Sequence, residues 1–102
     1  MAEIVRGTTP TIEVKFSTID TSTITAAVLT ISANNSIVLQ KDLQDAIVSA
    51  GSLSWILTQA ETLLISGKTQ VMLNWLTSEG VRGVSESKMV WFSQNPVNEV
   101  ME

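Results

Sequence analysis

The sequence contains no cysteine and no histidine. The first absence excludes disulfides, thiolate nucleophiles and thiolate metal sites. The second removes the commonest general base and the commonest metal ligand. Charge is scarce too: 16% of residues are charged, against about 25% in average proteins. The six cations, Arg6, Lys15, Lys41, Lys68, Arg82 and Lys88, are scattered, and the net charge is −4. No basic footprint exists for phosphate, which argues against nucleic-acid binding. No apolar run approaches the roughly 20 residues that span a bilayer, and Met1–Arg6 has neither a basic lead nor a long apolar stretch. On these grounds no membrane contact is expected, and the chain should stay in the cytoplasm of its cell unless it leaves inside a larger particle.

What is present is apolar and β-forming. Of the 102 residues, 44% are hydrophobic, and the mean hydropathy is +0.26. That is high for a single small domain with ample surface, so part of the surface should be built from Ser and Thr or covered by another chain. The stretch Thr69–Ser93 organises the rest. Val71, Leu73, Trp75 and Thr77 alternate with Gln70, Met72, Asn74 and Leu76, as a half-buried strand requires. Ser78-Glu79-Gly80 turns it, and Met89-Val90-Trp91-Phe92 closes the returning strand. The alternation slips between Gly83 and Ser87, which suggests a bulge.

Earlier strands follow the same rule. Ile12, Val14 and Phe16 alternate with Glu13 and Lys15. Ala27, Leu29 and Ile31 form one face of the next strand and leave Val28 on the other. Asn34-Asn35 tolerates left-handed backbone and predicts a hairpin; the facing of Ile37, Val38 and Leu39 after it is ambiguous. Leu53, Trp55 and Leu57 face inward, with Ile56 outward. Thr58-Gln59-Ala60-Glu61 fits a capping box, so one short helical turn is expected near 59–64. About seven or eight strands with turns every 8–12 residues predict a single all-β domain over 1–102, an antiparallel β-sandwich.

No arrangement points to catalysis. Gly67-Lys68-Thr69 ends like a phosphate-binding loop, but the first glycine of that motif is replaced by Thr62. Asp42, Asp45 and Glu61 match no calcium-loop spacing. Glu86 and Lys88, two apart on a strand, read as a surface ion pair. No serine sits in a nucleophile elbow. Catalytic, cofactor and metal residues are therefore all expected to be absent. Trp55 and Trp75 keep the phase of core residues, whereas Trp91 and Phe92 must face opposite ways. Val28, Ile56 and one of Trp91 and Phe92 are thus candidate interface residues, expected to form a contiguous patch that holds a homo-oligomer or a firm docking partner.

Arg6-Gly7-Thr8-Thr9-Pro10, Ile19-Asp20-Thr21-Ser22, Leu57-Thr58-Gln59-Ala60-Glu61-Thr62, Thr77-Ser78-Glu79-Gly80 leading to Ser85-Glu86, and Val97-Asn98-Glu99-Val100 occur in this order over nearly the whole chain. Together they resemble small tail- and baseplate-associated proteins of phages and prophages of Gram-positive bacteria. The likeness is to the immunoglobulin-like N-terminal module of baseplate upper proteins. The resemblance implies an immunoglobulin-like sandwich and a non-enzymatic structural role in a virion assembled in the host cytoplasm, through contacts with other tail proteins. It transfers no catalytic residue. Where such proteins carry polar outward residues, this chain has Val28 and Ile56. The alternative is a carbohydrate- or receptor-binding module using exposed aromatics.

Overall fold

The structure, a computed structural model, describes residues 2–102. Nine strands form two sheets. They are β1 (Ala2–Val5), β2 (Thr11–Lys15), β3 (Ile24–Ala33), β4 (Ser36–Asp42), β5 (Ile47–Ser49), β6 (Ser52–Ile56), β7 (Gly67–Thr77), β8 (Arg82–Val84) and β9 (Lys88–Ser93). One helical turn, α1 (Gln59–Leu63), joins β6 to β7. The larger sheet has the order β1-β9-β7-β3-β4, with β8 continuing the column of β9 along β7; the smaller has the order β2-β6-β5. This order is that of an immunoglobulin-like sandwich: β2, β6 and β5 stand as strands B, E and D, and β9, β7, β3 and β4 as G, F, C and C′.

All neighbouring strands pair antiparallel except β1, which runs parallel to β9 from Ala2↔Val90 to Val5↔Ser93. The larger sheet is therefore mixed, a correction to the purely antiparallel expectation. The strand count also exceeds it. The returning arm of the central hairpin is split at Ser85–Ser87 into β8 and β9. There the Ser85 hydroxyl accepts from the Leu73 amide at 2.8 Å while the Ser85 amide donates to the Leu73 carbonyl. A side-chain oxygen thus replaces a backbone carbonyl, and the ladder breaks at these residues rather than at Gly83. Ser85–Ser87 lie outside any strand, and no ion pair joins Glu86 and Lys88, a correction to the surface pair that the sequence suggested. Among the described residues the ion pairs are Glu13–Lys15 and Lys41–Glu61.

The core lies between the sheets. Leu29, Ile31, Leu73 and Phe92 from the larger sheet meet Leu53, Trp55 and Leu57 from the smaller chain segment, all 1% exposed or less. The alternations of β3, β6 and β7 are those expected. Asn34 and Asn35 have φ of 52° and 64°, the left-handed pair that a tight hairpin demands. In β4 the register shifts between Ile31↔Leu39 and Ser32↔Ile37, which leaves Val38 as an extra residue. Val38 and Leu39 both pack on the core while Ile37 is exposed. The bulge is why period-two counting gave no answer there.

The capping box is present. The Glu61 amide donates to Thr58 Oγ1 at 3.1 Å, and the Thr58 amide donates to Glu61 Oε1 at 2.8 Å. Lys41, which points inward from the edge strand β4, reaches Glu61 Oε2 at 2.6 Å. An inward charge on an edge strand disfavours further strand pairing there. Thr58→Ala should lose about 1 kcal/mol, measured by urea unfolding, and Thr23→Ala, which removes only an exposed hydroxyl bond to the Asp20 carbonyl, should lose less. Equal losses would mean that the cap contributes nothing specific.

Burial acts to raise the Glu61 carboxyl, but hydrogen bonds from Lys41 and the Thr58 amide outweigh it and hold its pKa below the ordinary value. A depressed folded pKa stabilises above the unfolded value, and that contribution disappears as pH falls through the folded one. Melting temperature should therefore drop on acidification below about pH 4. Glu61→Gln should flatten part of that drop. The Asp20 carboxyl, lowered by bonds from the Ser22 hydroxyl and amide, supplies acid dependence that this variant leaves in place.

Candidate functional site

Thr62 shows how the loops are pinned. It is fully buried in α1; its hydroxyl accepts from the Gly7 amide at 2.9 Å and donates to the Thr8 carbonyl at 2.8 Å. Arg6 donates to the Leu63 carbonyl and to Gln94 Oε1, and Asn95 donates to the Arg6 carbonyl at 2.7 Å. The Arg6–Pro10 bend, α1 and the end of β9 are thereby tied together. The motif Thr58–Thr62 and the segment Arg6–Pro10, singled out in the sequence, meet in one half-buried knot that holds the loops together.

The acidic residues do not converge. Asp42 accepts from the Gln44 amide at 3.1 Å and closes a short 3-10 turn over Leu43–Asp45; Glu61 is held by Lys41 and Thr58. Among the described residues no three acidic side chains gather as a metal site requires. Among the described residues no helix is long and apolar enough to cross a membrane.

The four candidate interface residues do not form one patch. Phe92 is 1% exposed; it pairs with Gly67 on one side and Ile4 on the other and packs in the core. It is removed from the candidate surface. Its neighbour Trp91, 44% exposed, takes the outer face of the larger sheet between Lys68 and Glu3. Val28 lies on the same face in another row, between Asp42 and Asn74, with Val84 beyond. Between Val28 and Trp91 come Thr30 and Met72, then Ser32, Gln70 and Met89. Ile56 belongs to the other sheet: it stands beside Thr11 on the outer face of β2-β6-β5, with exposed Ile47 two positions along on β5. Val28 and Ile56 thus face opposite sides of the sandwich. Period-two reasoning gave each its outward phase but not which sheet it joins.

A different feature was missed. Between β2 and the larger sheet lies an open groove of 610 Å³. Ile12 and Val14 form one wall, and Val71 and Val90, each 8% exposed, lie at its floor; Glu13, Lys15, Glu86 and Lys88 stand at its rim. Phe16 and Trp75, in edge-to-face contact at 5.0 Å, close one end. Ser85 and Glu86, in the interruption at Ser85–Ser87, line the other side. The slip in alternation at those residues was the one signal in the sequence.

Comparison with known proteins found no matching family model, no matching curated protein and no matching solved structure. The chain stands on its fold: an immunoglobulin-like β-sandwich whose prominent surface features are apolar patches and a groove.

Proposed function

We propose that this protein is a non-enzymatic structural component of a phage or prophage tail or baseplate, working by protein–protein contact within the virion. Its partners in this reading are other tail proteins and further copies of itself. The observation that carries the reading is the ordered set of motifs from Arg6-Gly7-Thr8-Thr9-Pro10 to Val97-Asn98-Glu99-Val100, on a sandwich whose two outer faces both carry exposed aliphatic residues. Val28 and Val84 stand on either side of Asn74 on one face, and Ile56 and Ile47 stand on the other, an arrangement suited to a subunit held between neighbours. A stable contact of this kind buries on the order of 1,200–2,000 Å² with apolar residues at its centre.

Because the two residues lie on opposite faces, Val28→Lys and Ile56→Lys are made separately. Each should leave the monomer folded and weaken one association, measured by light scattering and by copurification with tail proteins from induced cells. A parent protein that is monomeric at high concentration and copurifies with no tail protein would overturn the proposal. Exposed Trp91 favours one second reading, glycan binding. Titration with host cell-wall sugars should then change Trp fluorescence, and Trp91→Ala should abolish the change.

A further inference from the structure

We propose that the groove beside β2 is a strand-addition site: it takes one extended segment of another protein, paired antiparallel to β2. The inference goes beyond the tail assignment and stands without it, since it rests on the backbone geometry of β2 and on the side chains around the groove.

In the β2–β6 ladder the Leu57 amide donates to the Pro10 carbonyl and the Phe16 amide to the Gly51 carbonyl. Between them the register pairs Ile12 with Trp55 and Val14 with Leu53. Backbone polarity alternates along an antiparallel pair. The even-numbered residues therefore bond to β6, and Thr11, Glu13 and Lys15 point their N–H and C=O groups away, toward the groove. No other described strand pairs with that edge. Such an unpaired edge is a template for an added strand.

Room exists for one strand only. The smaller sheet ends at β2, which lies over β7, as the Phe16–Trp75 contact shows. The larger sheet continues past β7 through β9 to β1. A strand added to β2 would lie over β9, with alternate side chains entering the groove beside the partly exposed Ile12, Val14, Phe16 and Trp75. A second copy adding through its own β2 would bring its β7, β9 and β1 into the layer that β9 and β1 already fill. The occupant is therefore a single extended segment and not a folded copy.

The rim specifies its pattern. Glu13 and Lys15 lie on the exposed face of β2, on either side of inward-facing Val14 in the chain, and opposite charges directly across a strand pair are favourable. An antiparallel partner would present an acid to Lys15, an apolar residue to Val14 and a base to Glu13, with apolar residues on either side to face Phe16 and Ile12. In chain order that is apolar–acidic–apolar–basic–apolar.

The test is a titration of the isotope-labelled protein with the peptide Thr-Val-Glu-Val-Lys-Val-Thr, followed by NMR. Saturable shifts and slowed amide exchange are expected at Thr11, Glu13 and Lys15. The charge-swapped peptide Thr-Val-Lys-Val-Glu-Val-Thr should bind about fivefold more weakly. A peptide N-methylated at its Glu and Lys, whose amides would face β2, should not bind. Glu13→Pro removes an N–H that makes no internal bond, a substitution edge strands accept, and should abolish binding; the methylated peptide gives the same readout with the protein unchanged. Shifts confined to β4 or β5, equal binding of the two charge patterns, undiminished binding of the methylated peptide, or self-association of the free protein through β2 would each overturn the proposal. So would an absence of shifts at peptide concentrations of about 5 mM, beyond the range of weak recognition.

Discussion

Trp55→Ala is expected to lower the unfolding free energy by about 3–5 kcal/mol, more than any other truncation in the chain. Trp55 is wholly buried at the centre of the smaller sheet, in the inward phase of Leu53 and Leu57. Its Nε1–H donates to the Asp42 carbonyl at the end of β4, at 2.9 Å. The indole therefore fills the space between the sheets and also ties one sheet to the other. Truncation would leave a large cavity and remove the bond to the Asp42 carbonyl. A domain of this size has roughly 5–15 kcal/mol in all, so the variant should be partly unfolded near room temperature. Trp55→Phe separates the two contributions: it keeps most of the volume and loses the hydrogen bond, for about 1–2 kcal/mol. Urea unfolding followed by circular dichroism measures both. If the Phe variant were as damaged as the Ala variant, the bond to Asp42 would outweigh the burial.

The second large effect sits in the central hairpin, where Gly83 lies directly opposite Trp75. A Cβ built on Gly83 would fall 2.3 Å from Trp75 Cζ2 and 2.4 Å from Cε2. The indole covers the glycine backbone so closely that a methyl group cannot enter unless the ring moves. The ring's other neighbour, Phe16, meets it edge-on at 5.0 Å. Gly83→Ala should thus cost about 1–3 kcal/mol by overpacking. Trp75→Ala should cost about 3 kcal/mol, less than at Trp55, because the ring is partly exposed and its Nε1 is buried without a partner. The decisive measurement is the double variant. With the ring gone the added methyl has room, so the two losses should fall short of additivity by about 1–3 kcal/mol. Simple additivity would mean that the alanine is accommodated without displacing Trp75.

Local chemistry was readable wherever one segment decides its own conformation. Asn34-Asn35 needed only its own tolerance of positive φ, and Thr58 and Glu61 needed only each other. The inward phases of β3, β6 and β7 came from strict alternation, because a strand with one buried face must place its apolar residues at period two. Gly80 in the hairpin turn adopts φ of 82°, a value few other residues accept.

Other features depended on partners distant in the chain. Phe92 rather than Trp91 turns inward because β9 pairs with β7 in the register Thr69↔Val90 and Gly67↔Phe92, which sets the phase of the whole strand; no count along β9 itself reveals it. Val38 joins Leu39 on the core side through a bulge against β3. Lys41, by its sequence an exposed cation, turns inward because Glu61 waits at the end of the neighbouring helical turn.

The sequence by itself determined that the chain is an all-β sandwich, where its turns fall, and which residues of three strands are buried. Periodicity, turn chemistry and capping act over a few residues and leave their marks there. Only the tertiary structure decided that Val28 and Ile56 face opposite sides, that β1 pairs parallel with β9, and that β2 keeps a free edge above an apolar groove. Each of these depends on which strands become neighbours, and that choice is made by burial summed over both sheets, not by any one stretch of chain.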